Sequence, residues 1–370
     1  MVLKLPDYPW ETLAPYRARA AEHPGGTVDL SIGTPVDPTP QLIQDALARA
    51  ADAHGYPTTH GSPAVRQAIV DWFRDRRATT HLATDHVMPT VGSKELVAWL
   101  PLLLGLGEGD VVVRPRVAYP TYDIGARLVG AKAIAADSLG ELEAEDRDRV
   151  KLVWLNSPGN PTGSVLDVDS LKARVDQARE LGAVVASDEC YAELGWGDWD
   201  GDAIIPSVLS DEVSGGDLTG LLAAYSLSKQ SNLAGYRAAF LAGAPDLFPD
   251  LVNSRKHAGM IVPAPVQAAM VAALGDHAHV VEQKDRYRAR REAILPALES
   301  AGFRVDSSEA GLYLWVTRNE NCWESIGWLA ERGIVAGPGA FYGEAGKFHV
   351  RIAITASDER IAAAAERLTA

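Results

Sequence analysis

Cysteine is scarce: the 370 residues contain only Cys190 and Cys322. Two cysteines so far apart exclude a disulfide framework and any cysteine-based metal spacing, and they fit a reducing cytoplasm. Positive charge is in deficit. There are 35 Lys and Arg against 49 Asp and Glu, giving a net charge of -14 and a pI near 5.1. That balance argues against nucleic acid or an anionic membrane surface as partner. No apolar run approaches the roughly 20 residues that cross a membrane. The opening, MVLKLPDYPWETL, has early acids and two prolines and lacks the apolar centre of a signal peptide. No His-x-x-x-His pair, Cys cluster or paired carboxylates suggests a metal, and no G-x-S-x-G elbow suggests a serine hydrolase. Repeats and low-complexity segments are missing too. What is present is the composition of an ordinary globular enzyme, in a chain long enough for two domains.

From Val87 onward, apolar runs alternate with helical patterns. Strands are expected at Val87–Val91, Val111–Val113, Ala131–Ala135, Val150–Leu155, Ala183–Ser187, Gly220–Ala224 and Tyr236–Ala242. Helices are expected at Ser93–Leu104, Thr121–Val129 and Val168–Leu181. Unbroken apolar strands between helices predict an α/β fold whose mostly parallel sheet is covered on both faces. Ligands sit at the C-terminal ends of such strands. Residues 1–36 read as an arm with one short helix, and Gln41–Ala53 and Ala64–Arg77 as helices around a Gly/Pro/Thr loop. Residues 246–293 read as helical with one break at Val262–Pro265. Strands at Arg304–Val305, Gly311–Val316 and Phe348–Ile354 and helices at Glu324–Arg332 and Asp358–Leu368 follow. The expected division is a large domain, 37–255, and a smaller α+β domain made of 1–36 and 256–370.

One stretch organises the chemistry: Tyr225-Ser226-Leu227-Ser228-Lys229, followed by Gly235-Tyr236-Arg237. Lys229 stands among small and apolar residues, where desolvation makes its charge costly. A neutral amine can attack a carbonyl. Two serine hydroxyls and a guanidinium can hold a phosphate dianion. Together they point to an aldehyde cofactor that carries a phosphate, pyridoxal 5'-phosphate (PLP). The plain alternative is a surface lysine after a strand, with an incidental arginine nearby.

Five other places carry candidates. Gly92-Ser93-Lys94-Glu95 opens a helix, so the Ser93 hydroxyl and the amides of Ser93 and Lys94 form either an anion site or an ordinary cap. Tyr119, in A-Y-P-T-Y, either stacks on a pyridine ring or fills a turn. Asn156 to Gly163 reads N-S-P-G-N-P-T-G. Its prolines and glycines either hold the Asn160 amide towards a phenolate oxygen or make a tight turn. Asp188, in S-D-E-C-Y, ends an apolar strand. A carboxylate there is costly unless it meets a cation such as a protonated pyridine nitrogen, or unless it caps a helix. Tyr191, three residues on, could reach the ring oxygen. Arg351 alternates with Phe348, Val350, Ile352 and Ile354 along a strand, free to clamp a carboxylate or to form a surface ion pair.

In order, G-S-K-E, A-Y-P-T-Y, N-S-P-G-N-P-T-G, S-D-E-C-Y, S-L-S-K, G-Y-R and V-R-I span residues 92 to 351. This set resembles the class I/II PLP-dependent aminotransferases of the type I fold. The resemblance implies the PLP-transferase architecture, a large domain with a mostly parallel sheet plus a smaller α+β domain. It also implies a homodimer with shared active sites, acting on amino and keto acids; composition and motifs add the expectations of a cytoplasmic setting and of no metal, nucleic acid or membrane as partner. By resemblance, Lys229 is the Schiff-base lysine, and Asp188 partners the pyridine nitrogen. Asn160 and Tyr191 hold the ring oxygen, and Tyr119 stacks. Ser93, Lys94, Ser226 and Arg237 hold the phosphate, and Tyr56 reaches the phosphate of the neighbouring subunit. Arg351 and the Gly33 backbone take the substrate carboxylate.

The opening L-P-D-Y-P-W-E-T-L and the length are similar to the actinobacterial N-succinyldiaminopimelate aminotransferases of lysine biosynthesis. That narrower resemblance implies glutamate as donor and N-succinyl-2-amino-6-oxopimelate as acceptor. The acceptor's distal carboxylates call for local cations, for which Arg116, just before Tyr119, and Lys256, expected in a loop at the dimer interface, are candidates. The alternatives are an aminotransferase for aspartate, alanine or aromatic amino acids, and a PLP-dependent C–S lyase or decarboxylase on the same fold. A non-catalytic ligand sensor is opposed by the short arm and the negative charge.

Overall fold

Thirteen strands form among residues 4–370, the part of the chain that the computed structural model describes. They are β1 (Val28–Asp29), β2 (Val87–Val91), β3 (Val111–Arg114), β4 (Lys132–Ala135), β5 (Val150–Asn156), β6 (Val184–Asp188), β7 (Leu221–Ser226), β8 (Ala238–Gly243), β9 (Arg304–Val305), β10 (Tyr313–Thr317), β11 (Ile334–Val335), β12 (Gly337–Pro338) and β13 (Val350–Ala353). Seven make the central sheet, in the order β2-β8-β7-β6-β5-β3-β4. Only β8 runs against its neighbours. The sheet is therefore mostly parallel, as the apolar runs predict.

Both faces are covered, which is why the strands do not alternate with polar residues. On β5, Val153 and Leu155 enter one core, with Ile69, Phe73 and Met270 of the covering helices. Leu152 and Trp154 enter the opposite core, with Leu96, Leu100 and Phe248. Parallel register sets Asn156 of β5 beside Asp188 of β6, and Asp188 beside Ala224 of β7. The C-terminal ends of three strands thus bring together residues far apart in the chain.

The rest of the chain builds a second core on an antiparallel sheet, β12-β13-β10-β9. Arm residues Leu13, Val28 and Leu30 join that core, and β1 pairs with β11. Tyr191, Leu194 and Trp196, just beyond β6, also enter it, so the segment after Asp188 ties the two cores together. Three local expectations change. The helical region 248–300 breaks twice, the second time between Gly275 and Ala278, where Asp276 accepts from the His279 amide at 3.0 Å. An Asx group capping free amides starts a new helix. The last strand begins at Val350, leaving Phe348 half exposed outside it. Lys256 lies in the last turn of helix Phe248–His257 and not in a loop. Among the described residues, no helix is long and apolar enough to cross a membrane.

Candidate active site

A cavity of about 300 Å³ opens at the C-terminal ends of β6 and β7. The start of helix Ser93–Leu103 forms one side, and arm residues Tyr8, Trp10 and Ile32 to Thr34 form another. Ser93, Lys94, Tyr119, Asn160, Asp188, Tyr191, Ser226, Lys229, Arg237, Arg351 and Gly33 all line it. Tyr56 does not; it stands fully exposed away from the cavity.

One end is built for an anion. Gly92 has φ +78°, and a Cβ there would lie 2.0 Å from Arg237 Nη2. Only glycine lets the guanidinium approach this backbone so closely. Beyond it, the first-turn amides of an 11-residue helix have no intrahelical acceptors and the positive end of the dipole behind them. Ser226 accepts from the Ser228 amide at 3.2 Å, and its hydroxyl donates to Ser228 Oγ at 2.9 Å. Arg237 donates to the Ala234 carbonyl at 2.8 Å and has no acidic partner among the described residues. Free amides, hydroxyls and an uncompensated guanidinium are what a phosphate requires.

The floor holds a buried carboxylate. Asp188 is 8% exposed and ends β6 with no helix after it, so it is not a helix cap. Tyr122 Oη donates to its Oδ2 at 2.9 Å, and the Cys190 amide to its Oδ1 at 3.3 Å. Among the described residues no basic side chain pairs with it. Burial pushes the Asp188 carboxyl up, against the pull of the Cys190 and Tyr122 hydrogen bonds. A cationic ring nitrogen would relieve that cost. Tyr122 is itself fixed by stacking on Trp154, with ring centroids 4.9 Å apart.

The loop after β5 is tied to the same floor. Asn156 Oδ1 accepts from the Asn160 amide at 2.7 Å, and Asn156 Nδ2 donates to the Asp188 carbonyl at 2.9 Å. The peptide bonds before Pro158 and Pro161 are cis. Arg351 Nη1 donates to Asn160 Oδ1 at 2.9 Å. Arginine has only donors, so the Asn160 amide must turn its oxygen to Arg351, which leaves its NH2 free to donate elsewhere.

Arg351 is 3% exposed, which rules out the surface ion pair. Its Nη2 donates to the Ser31 carbonyl at 2.6 Å, and its guanidinium lies 3.9 Å from the centroid of Tyr313. Among the described residues no carboxylate pairs with it, and its Nε has no acceptor. Tyr191 Oη donates to Tyr313 Oη at 3.3 Å. Burial pushes the Tyr313 hydroxyl up, but the Arg351 and Lys229 charges beside it outweigh this and hold it below the usual phenol value. Gly33 packs against the same hydroxyl; a Cβ there would lie 2.2 Å from Tyr313 Oη. Lys229 Nζ donates to the Gly33 carbonyl. Burial pushes Tyr119 up to about 12.

Sequence reading gave no site role to Tyr8, Trp10, Tyr122 or Tyr313. Tyr8, Trp10 and Tyr122 stand inside stretches already singled out, whereas Tyr313 carries no local signal; Ser228 is the second of the two serine hydroxyls expected beside Lys229. Arg116 is drawn away, paired with Glu141 at 2.5 Å on the surface, and neither it nor Lys256 lines the cavity.

Comparison with known proteins agrees with this geometry. The family described as "Aminotransferase class I and II" matches residues 26–368. The 4-dedimethylamino-4-oxo-anhydrotetracycline transaminase OxyQ of Streptomyces rimosus is 56% identical, over 99% of both chains. The probable aminotransferase Rv1178 of Mycobacterium tuberculosis is 56% identical over 99% of this chain and 85% of its own. Among solved structures, a probable N-succinyldiaminopimelate aminotransferase from Thermus thermophilus superposes with a TM-score of 0.85 at 27% identity, covering 97% of this chain and 99% of its own. A lysine, a phosphate-ready helix start, an unpaired buried acid and an unpaired buried arginine around one cavity thus meet a family match across nearly the whole chain: it belongs to the class I and II aminotransferases, enzymes that use pyridoxal phosphate.

Proposed function

We propose that this aminotransferase works on α-amino and α-keto acids held by Arg351, with glutamate as donor and N-succinyl-2-amino-6-oxopimelate as acceptor. The observation that carries the α-carboxylate is the buried guanidinium of Arg351, which has no counter-anion among the described residues. Its neutral partners, Asn160, the Ser31 carbonyl and the Tyr313 ring, stabilise the charge without neutralising it, and an arriving carboxylate would do so.

When bound, PLP supplies an aldehyde that takes up the amino group and a pyridine ring that accepts electrons released at the substrate's Cα. Ser93, Ser226, Arg237 and the Lys94 backbone would hold its phosphate, Tyr119 its ring face, Asn160 and Tyr191 its ring oxygen, and Asp188 its ring nitrogen. Arg351 and the Gly33 backbone orient the substrate through its carboxylate. Lys229 Nζ, beside Gly33, takes the Cα proton. The aromatic walls, Tyr119, Tyr191 and Tyr313, keep water away from that proton and strengthen each charge interaction in the cavity.

The same reading takes residues 37–255 as the large domain and 1–36 with 256–370 as the smaller one, in a cytoplasmic homodimer. Tyr56 is fully exposed, and Trp99 and Leu102 on helix Ser93–Leu103 also reach the surface, which supports a partner surface. Cys190 and Cys322 are both free thiols.

Arg351→Ala should lower kcat/KM for glutamate by about 10²–10³-fold. This matches the roughly 2–5 kcal/mol lost when one partner of a buried charge pair is removed. Steady-state kinetics checks it, and a fall of less than about tenfold would remove Arg351 from the substrate site.

The succinylated acceptor is supported by the Thermus neighbour and by Lys94. Of the four basic side chains on the cavity, Lys229, Arg237 and Arg351 have roles above. The exposed Lys94 amine, 5.4 Å from the Tyr8 ring centroid, remains for a distal carboxylate. A second reading, a polycyclic ketone acceptor, is favoured by the 56% identity to OxyQ. A panel decides, scored as kcat/KM with glutamate as donor: the succinylated compound, a tetracyclic ketone, oxaloacetate, pyruvate and phenylpyruvate. The succinylated acceptor should lead. If another acceptor beats it by about tenfold, roughly 1.4 kcal/mol in transition-state binding, the assignment is overturned. Release of ammonia and pyruvate, or of CO2, without any acceptor would indicate a lyase or decarboxylase instead.

A further inference from the structure

Lys229 sits on a helix of only four residues, Leu227–Gln230. So short a helix cannot hold itself, because its nucleation cost exceeds what its own hydrogen bonds return. Its position must come from outside. One support is Tyr225, whose hydroxyl donates to Gln230 Oε1. The other is helix Ala278–Ser300, which turns His279, Gln283, Tyr287 and Arg290 inward at helical spacing, all four buried.

A buried polar stripe is costly unless each member finds a partner. These partners lie on the turn that follows the lysine, at Asp37 just past the arm, and at Asp276 just before the helix. Tyr287 Oη donates to the Lys229 carbonyl at 3.4 Å. Asn232, in a left-handed conformation at φ +56°, donates to Gln283 Oε1 at 2.8 Å. Gln283 and Arg290 both donate to Asp37. His279 Nε2 lies 2.8 Å from Ser231 Oγ, and His279 Nδ1 lies 2.7 Å from Asp276 Oδ2.

The protons in this array can be placed by counting donors. Gln230 Oε1 accepts from Tyr225, so Gln230 Nε2 donates to Ser231 Oγ, at 3.2 Å. Ser231 then has its own hydrogen to give, and His279 Nε2 is the group placed to accept it. The Asp276 carboxylate can only accept, so the His279 proton sits on Nδ1 and is donated to Asp276, which in the neutral ring leaves Nε2 as the acceptor. One directed chain runs from Tyr225 to Asp276, across the turn that carries Lys229. The order Ser, His, Asp is that of a hydrolase nucleophile, but Ser231 is 0% exposed and lines neither the active-site cavity nor the surface cleft that Asp276 and His279 border, so its hydroxyl is closed to a substrate.

We propose that His279, oriented by Asp276, is a positioning residue: through Ser231 it fixes the Lys229–Asn232 turn, and so the point at which Lys229 Nζ meets the reacting atoms. The proposal rests on Lys229 being the catalytic lysine. A misplacement of about 1 Å at a reacting group can cost on the order of 10²-fold in rate, which sets the scale expected here.

The test compares Ser231→Ala, His279→Ala, their double variant and His279→Gln with the parent. Glu282→Gln, exposed on the same helix, serves as control. Ser231→Ala and His279→Ala should each lower kcat by about 10–100-fold, with KM for glutamate within about threefold of the parent. The double variant should match the singles within about threefold, since both remove one link. His279→Gln keeps an acceptor for the Ser231 proton and should recover most of the loss. Independently of turnover, cofactor-free Ser231→Ala and His279→Ala should take up PLP, followed by visible absorbance, at least about tenfold more slowly than Glu282→Gln. If His279→Ala does not fold, as judged by circular dichroism, Ser231→Ala and His279→Gln carry the comparison. Parent-like kcat and uptake in Ser231→Ala, additive losses, or an effect on KM alone would each overturn the proposal. A fully active Lys229→Ala would instead overturn the reading on which it rests.

Discussion

Lys229→Ala should lose at least about 10⁴-fold in kcat, the upper end of what a positioned acid–base group contributes. The amine lies on the cavity, held against the Gly33 carbonyl and beside Arg351 and Tyr313. Tyr313, whose hydroxyl lies below its usual pKa, sits close enough to sense the charge on that amine. The other lysine on the cavity, Lys94, has its amine over the Tyr8 ring, 5.4 Å from the centroid, and not at the Gly33 carbonyl where Lys229 is held. A chemical check accompanies the kinetics. Borohydride treatment of the cofactor-loaded parent should fix the cofactor to the chain, and peptide mapping should find it on Lys229. Label on any other lysine, or turnover in Lys229→Ala within about tenfold of the parent, would remove Lys229 from the reaction.

Asp188→Ala should lower kcat by at least about 10³-fold, on the order of 4 kcal/mol in the barrier. The carboxyl is buried, accepts hydrogen bonds from Tyr122 and from the Cys190 amide, and has no basic side chain as partner among the described residues. Burial raises its pKa because the charged form is disfavoured there. A cation placed against it reverses that preference and is held protonated in return. In the proposed role, removing the carboxylate would take from the ring nitrogen the partner that keeps it cationic and would make the ring a weaker electron acceptor. Cofactor affinity should fall much less than kcat, since the helix start at Ser93 and the Arg237 guanidinium are untouched. Equilibrium dialysis of the variant separates the two effects. Near-parental turnover would reduce Asp188 to a residue that orders Tyr122 and the Cys190 turn.

Much of the cofactor site is legible in the chain because its chemistry is local. S-L-S-K places a lysine and two hydroxyls within four residues. G-S-K-E marks a helix start, where free amides follow from backbone geometry alone. N-S-P-G-N-P-T-G restricts its own loop. The central sheet is legible too, since Val111 to Val113, Val150 to Leu155 and Leu221 to Ala224 have no polar face and must be covered on both sides. Where the local pattern admitted two outcomes, it could not choose between them. Alternation along β13 allowed Arg351 a solvent face, and only the packing of the arm over β13, with Ser31 and Tyr313 against the guanidinium, buried it.

By itself, then, the sequence determined the strands of the central sheet and the long helices between them, which short stretches offer a lysine, a helix start with free amides and a restrained loop, and which family the chain resembles; the short strands β1, β11 and β12 came only with the structure. The tertiary structure decided what stands next to what. Tyr122 reaches Asp188 across 66 residues, Tyr191 meets Tyr313 across 122, and His279 meets Ser231 across 48. It also decided which charges stay unpaired: Arg116 is taken by Glu141, while Arg351 is left free. The reason is physical. Backbone propensity and hydrophobic period act over a few residues, whereas these contacts depend on strand order in the sheet and on which polar groups lose their water, and both are set only when the whole chain has packed.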